Sequence, residues 1–268
     1  MTTTRNRPAQ GVFCWMEHAS RDRDAAKAFY GSVFGWTFED HPMPGDTGRT
    51  YTMIRQAGED VGGMYAMEGP MFEGVPAHWM SYIQVEDVDA AAARAREAGG
   101  RLGYEPMDVP GVGRLCLVVD PTGARVSFWK GCEGGPAPVE SGDVPVPGRF
   151  CWYELITRDL PAARDFWGRV IGWEFAEQDM GGFTYVVLKT GGRDVGGMMA
   201  MDENWPAEVP SHWMYYIAVE DVDAACKAVE AAGGSVCVPP TDIPVGRFAV
   251  VGDNTGATFS VLRLNTAC

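Results

Sequence analysis

The sequence predicts an α+β chain made of two tandem copies of one domain, each copy consisting of two βαβββ units. Three observations carry that prediction. The first is internal repetition, the mark of a duplicated unit. "FCWMEHASRDRDAAKAFYGSVFGWTF" at 13–38 realigns with "FCWYELITRDLPAARDFWGRVIGWEF" at 150–175, and "DVGGMYAM" at 60–67 with "DVGGMMAM" at 194–201. "HWMSYIQVEDVDAA" at 78–91 matches "HWMYYIAVEDVDAA" at 212–225, and "DPTGARVSF" at 120–128 matches "DNTGATFSV" at 253–261. The second is that apolar stretches of strand character alternate with stretches of helical spacing inside each copy. The third is "GCEGGPAPVESGDVPVPG" at 131–148, whose Gly, Pro and interspersed acids read as an exposed linker. The domains are therefore placed at 1–130 and 149–268.

The elements follow in order. "FCWMEHAS" alternates and is rich in apolar and aromatic residues, as a strand should be. "DRDAAKAFYGSVFG" sets Ala25, Ala26, Phe29, Val33 and Phe34 at helical spacing, with Gly35 at its end. "TYTMIRQ" and "DVGGMYAM" read as hairpin strands joined by the turn "AGED". The second unit repeats the order: strand "HWMSYIQV", helix "DVDAAAARAREAG" closed by Gly99 and Gly100, then strands ending in "ARVSFW". The acids of "EDVDAA" lie at the helix start, where the dipole favours them.

Composition bounds the function. A content of 46% hydrophobic and 22% charged residues is that of a soluble globular protein. The net charge of −14 argues against nucleic acid and anionic membranes, both of which need Lys and Arg on the binding face, and favours a small-molecule ligand. No apolar run approaches the roughly 18 residues of a membrane span. "MTTTRNRPAQ" lacks the apolar core of a secretory signal, so a cytoplasmic protein is expected, as monomer or homodimer. Seven scattered cysteines with no CxxC pair fit a reducing compartment and mostly free thiols.

The helices "RDRDAAKAFYGSVFGW" and "RDLPAARDFWGRVIGW", the entries "IQVEDVDAA" and "IAVEDVDAA" and the turns "DPTG" and "DNTG" resemble the vicinal-oxygen-chelate superfamily. That superfamily includes glyoxalases, extradiol dioxygenases and bleomycin-resistance proteins. The tandem form with its "W-x-E" strands is similar to the glyoxalase-like group that includes a mycobacterial 27 kDa antigen. The resemblance implies two tandem glyoxalase-like domains, each a cup-shaped mixed sheet with a ligand site on the concave side. Metal-dependent members hold a divalent ion with His, Gln or Glu side chains on the first and last strands of each unit. In this chain those positions fall on Trp15, Gly63 or Met64, Met80 and Ser127, and on Trp152, Gly197 or Met198, Met214 and Ser260. Such side chains do not make a Zn, Ni, Fe or Mn site of that type. No metal and no other cofactor is expected.

Side chains two apart on a strand share a face. Trp15 and Glu17 then point to the pocket while Cys14 and Met16 face the helices, and His78, Met80 and Tyr82 share the pocket side by the family register. The second copy supplies Trp152, Glu154, His212, Met214 and Tyr216. Glu17 with His78, and Glu154 with His212, are the expected acid–base or substrate-orienting groups. The competing reading makes the histidines backbone caps after a Pro-Ala or Pro-Ser turn and the glutamates structural carboxylates. Substrate contacts are expected from Trp15, Met80, Tyr82, Ser127, Trp152, Met214, Tyr216 and Ser260, and from Tyr51 and Tyr185 on a hairpin strand. Arg114 and Arg247 are rim candidates for an anionic ligand, with ion pairing to Asp108 and Asp242 the favoured alternative. Three functions remain open: a metal-independent lyase, isomerase or hydrolase; a non-catalytic sequestering protein; and a metal enzyme with relocated ligands.

Overall fold

The computed structural model describes residues 10–43, 48–132, 145–180 and 182–265. Most of the expected linker, all but one residue of the N-terminal segment, and Cys268 lie outside them. The first copy runs β1 (Phe13–Ser20), α1 (Arg23–Phe34), β2 (Thr37–Pro42), β3 (Thr50–Gln56) and β4 (Glu59–Ala66). It continues with β5 (His78–Gln84), α2 (Val88–Glu97), β6 (Arg101–Val109), β7 (Gly113–Val119) and β8 (Arg125–Gly131). The second runs β9 (Phe150–Thr157), α3 (Leu160–Val170), β10 (Glu174–Asp179), β11 (Thr184–Thr190) and β12 (Arg193–Ala200). It ends with β13 (His212–Ala218), α4 (Val222–Ala231), β14 (Ser235–Ile243), β15 (Gly246–Gly252) and β16 (Thr258–Leu264).

Each copy forms one eight-stranded mixed sheet, ordered β2-β3-β4-β1-β5-β8-β7-β6 and β10-β11-β12-β9-β13-β16-β15-β14. The expected α+β architecture of two tandem βαβββ pairs is what the chain adopts. Within each βαβββ unit the first and last strands pair in parallel: β1 with β4, β5 with β8, β9 with β12 and β13 with β16. That pairing needs a helical crossover, which the intervening helix supplies.

The helix starts are fixed by aspartates acting as caps. Asp22, Asp87, Asp159 and Asp221 each accept a hydrogen bond from the amide three residues on, satisfying a donor that the helix itself cannot. The β3–β4 turn is shorter than "AGED" suggests. Only Ala57 and Gly58 lie outside the strands, both with positive φ (50° and 82°), the conformation of a two-residue hairpin turn.

Contacts divide the chain into two compact units, each joining one half of either copy. One comprises Met1–Trp15, Ser81–Glu140 and Tyr153–Trp213; the other Met16–Met80, Ser141–Trp152 and Met214–Cys268. The core of the first is centred on Phe13, stacked on Tyr153 at 4.1 Å, with Trp167, Trp173 and Trp213 around it. The core of the second gathers Phe29, Tyr30, Trp36, Trp79 and Phe259. Trp36 and Trp173 are core residues whose indole N–H groups donate to the carbonyls of Gly148 and Gly11, both at 2.8 Å.

Candidate functional site

Glu17 leaves β1 on the face turned away from helix α1, and its neighbours there follow from the ladder. Glu17 pairs with Gly63 on β4, Gly63 with Met53 on β3, and Met53 with Glu39 on β2. The adjoining row is His41, Tyr51 and Tyr65. Tyr51 leans diagonally across its neighbour strand, so that a Cβ built on Gly63 would meet its hydroxyl oxygen at 1.8 Å. Only glycine leaves room for that hydroxyl. It brings a phenol and the Glu17 position together on one face of the second unit. The opposite face carries Met16, His18, Ile54 and Met64, all buried.

The other glycine of "DVGGM" has a different task. A Cβ on Gly62 would stand 2.5 Å from the Met16 carbonyl oxygen, so this residue permits close approach of two backbones. The second copy repeats both devices within the first unit. Glu154 pairs with Gly197, a Cβ on Gly197 would fall 1.9 Å from the Tyr185 hydroxyl, and Gly196 lies against the Tyr153 carbonyl.

His78 and His212 open their strands, half-buried. Nδ1–H of each donates to a proline carbonyl two residues earlier, Pro76 at 2.9 Å and Pro210 at 2.8 Å. Because a carbonyl can only accept, this bond fixes the tautomer and makes Nε2 an acceptor. Burial pushes the His212 imidazole below its ordinary value, the Pro210 bond only partly offsetting it. His78 shares the second unit with Glu17 and Tyr51, and His212 shares the first with Glu154 and Tyr185.

The remaining predicted positions divide between the units. In the first, Tyr82 pairs with Ser127, whose hydroxyl lies 3.4 Å from that of Tyr104, and Trp129 meets the Tyr82 ring edge-on. In the second, Tyr216 pairs with Ser260, but the Tyr104 place is taken by Val238 and the Ser260 hydroxyl has no hydrogen-bond partner. Trp15 and Met80 are half-buried, as is Trp152, whereas Met214 is buried. Arg114 and Arg247 are committed elsewhere. Arg114 holds both oxygens of Asp89 at 2.7 and 2.8 Å and one of Asp108 at 2.9 Å; Arg247 does the same with Asp223 and Asp242. Two carboxylates on each guanidinium leave little of its charge for an anionic ligand.

Sequence reasoning missed a buried polar cluster on the helix side of the second unit. His18 Nε2–H donates to Asp253 Oδ2 at 2.8 Å, the Tyr30 hydroxyl donates to the same oxygen at 2.9 Å, and Trp79 donates to Tyr30 at 2.7 Å. His18 Nδ1 is buried with no partner. Burial alone would raise the Asp253 carboxyl. The bond and charge of His18, the Ala257 amide and the Thr255 hydroxyl more than offset it and hold the group below its ordinary value. The only signal in the sequence was a histidine at a helix-facing position of an apolar strand.

A family model of the Glyoxalase/Bleomycin resistance protein/Dioxygenase superfamily matches residues 15–128 and again 149–261. The chain belongs to that superfamily. Its relatives include the protein named "Putative glyoxylase CFP32" of Mycobacterium tuberculosis (strain CDC 1551 / Oshkosh), 40% identical over 256 residues covering 95% of each chain. Another is "Anthracycline biosynthesis protein DnrV" of Streptomyces peucetius, 34% identical, covering 96% of this chain and 94% of that one. Among solved structures, the Mn(II)-bound glyoxalase of Novosphingobium aromaticivorans has a TM-score of 0.59 at 15% identity, covering 95% and 83% of the two chains. An extradiol ring-cleaving dioxygenase of B. fuscum has a TM-score of 0.61 at 16% identity, covering 98% and 74%. At such identity the likeness concerns the fold alone.

A divalent ion such as the Mn(II) of that glyoxalase does not fit the residues at these positions. The expected ligand positions carry Trp, Gly or Met, Met and Ser, and among the described residues no three His, Cys, Asp or Glu side chains converge as metal ligands would. Among the described residues no helix is long and apolar enough to cross a membrane.

Proposed function

We propose that the protein is a metal-independent lyase or isomerase of the superfamily, moving a proton on a small carbonyl or aromatic carbonyl compound. The observation that carries this reading is the glutamate position and tyrosine hydroxyl brought together on one sheet face by a glycine too small to keep them apart. Glu17, or its counterpart Glu154, acts as the base. A carboxylate takes the proton from the carbon beside the substrate carbonyl as the C–H electron pair moves into the enol. The Tyr51 or Tyr185 phenol donates to the developing oxyanion, the complement that such a step requires. In a 2-hydroxy carbonyl compound, return of that proton to the former carbonyl carbon, while the 2-hydroxyl gives its own proton back to the phenolate and becomes the new carbonyl, completes an isomerisation and regenerates both the carboxylate and the phenol. His78 and His212, held by Pro76 and Pro210, orient the substrate by accepting a hydrogen bond at Nε2. Met80, in the same unit as Glu17 and His78, supplies an apolar wall.

The excess of acidic residues supports a small-molecule partner rather than nucleic acid, and we place the protein in the cytoplasm as monomer or homodimer. Ser260 and the apolar residues around it are the feature that favours a sequestering role instead. Turnover of 2-oxoaldehydes and aryl ketones by the wild type and by the Glu17→Gln/Glu154→Gln double variant separates the two. Loss of turnover with folding intact supports the acid–base reading. Full activity in the double variant overturns it, and binding of the ketones without turnover in the wild type supports sequestration.

A further inference from the structure

The two glutamate sites have equivalent centres and different surroundings. Around Glu17 the face carries Glu39, Met53, His41 and Tyr65. The ladder of the second copy puts Ala176, Val187, Gln178 and Met199 at the same places around Glu154. A carboxylate has become a methyl group, a phenol a thioether, and an imidazole a neutral amide. Access differs in the same sense. Glu17 and Met53 are half-buried, whereas Glu154 is 6% exposed and Val187 3%. Glu17 is therefore more open to solvent than its counterpart Glu154.

We propose that the duplication has divided labour: substrate is taken at the Glu17 site, and the Glu154 site stays closed. This rests on the acid–base reading of the Glu–Tyr pair and assigns it to one of the two copies. The first site also states a preference. Glu39 and His41 lie 3.4 Å apart on the edge strand, Glu39 also accepting from Arg55, and with the hydroxyls of Tyr51 and Tyr65 they line a rim rich in hydrogen-bonding groups beside the Met53 position. A carbonyl compound bearing hydroxyl groups can exchange hydrogen bonds with that rim, whereas a bare hydrocarbon ketone cannot.

The test is fluorine NMR of the full chain labelled with 3-fluorotyrosine, the Tyr51 and Tyr185 resonances being assigned from Tyr51→Phe and Tyr185→Phe. The probes are 2,4-dihydroxyacetophenone and acetophenone. The dihydroxy ketone is expected to shift the Tyr51 resonance saturably, to leave that of Tyr185 in place, and to bind more tightly than acetophenone. The Glu39→Ala/His41→Gln/Tyr65→Met variant, which gives the first site three of the second site's four neighbours, is expected to weaken binding about tenfold or more. Equal saturable shifts at both tyrosines, or a shift at Tyr185 alone, overturn the division of labour and leave the Glu–Tyr reading standing. No shift at either tyrosine with either probe overturns both.

Discussion

The Asp253 corner of one unit and the Asp120 corner of the other start from the same turn and end with different chemistry. In both, Oδ1 accepts from the amide and hydroxyl of a threonine two residues on and from the amide of an alanine four residues on. The turn is thus self-capped, and the duplication kept it. The second oxygen differs. Asp253 Oδ2 receives His18 and Tyr30, whereas Asp120 Oδ2 receives only the Trp167 indole at 3.2 Å. The substitutions behind this are two: His18 corresponds to Leu155, and Tyr30 to Trp167. Burial raises the Asp120 carboxyl, and Thr122, Ala124 and Trp167 only partly offset it; Asp253 is shifted the opposite way. The same swap leaves a second trace. Trp79 donates to the Tyr30 hydroxyl, but its counterpart Trp213 finds an indole in that place, which cannot accept, and its N–H stays buried without a partner. A backbone motif survives duplication because it satisfies itself, while the side chains that meet it from another part of the chain are free to diverge.

The largest expected effect is from removing the shared carboxylates. Asp253→Ala leaves His18 and Tyr30 buried without their acceptor and should cost about 3–5 kcal/mol. Asp120→Ala loses the turn bonds and one indole bond and should cost less, about 2–3 kcal/mol. Urea unfolding of both variants checks the order; an equal or reversed cost would break the comparison.

Next comes acid sensitivity. The lowered Asp253 pKa stabilises the fold above the unfolded value near 3.8 and is lost as pH falls through the folded value. The raised Asp120 pKa acts in the opposite sense: its contribution is present below 3.8 and is lost as pH rises through the folded value. Asp253→Asn should therefore flatten the loss of stability between about pH 5 and 2, and Asp120→Asn should steepen it. Denaturation midpoints measured across that range give the answer.

The smallest difference is between the tryptophans. Trp79→Phe removes a made hydrogen bond and should cost about 1 kcal/mol more than Trp213→Phe, which removes an indole N–H that was unsatisfied. Thermal unfolding of the pair is sufficient.

How much of this was legible depended on distance along the chain. The order of strands and helices, the parallel copies and the capping acids are local or repeated, and they appear in the residues themselves. The face shared by Trp15 and Glu17 followed from a period of two. The Tyr51–Gly63 approach did not, because it needs the diagonal lean across a twisted ladder. The His18–Asp253 bond joins residues 235 apart, and no local pattern announces it. Arg114 was half legible. Its Asp108 partner lies opposite it on a hairpin, but Asp89, which takes two of its N–H groups, comes from the start of α2.

The central claim is that a glutamate and a tyrosine, without a metal ion, move a proton on a carbonyl substrate. Its direct test is exchange of the methyl protons of 2,4-dihydroxyacetophenone with D₂O, followed by proton NMR after exhaustive treatment of the protein with EDTA. Exchange is expected to persist in the treated wild type and to fall by about a hundredfold or more in Glu17→Gln and in Tyr51→Phe. Exchange that disappears with EDTA and returns with added metal, or that survives undiminished in Glu17→Gln, would contradict that claim.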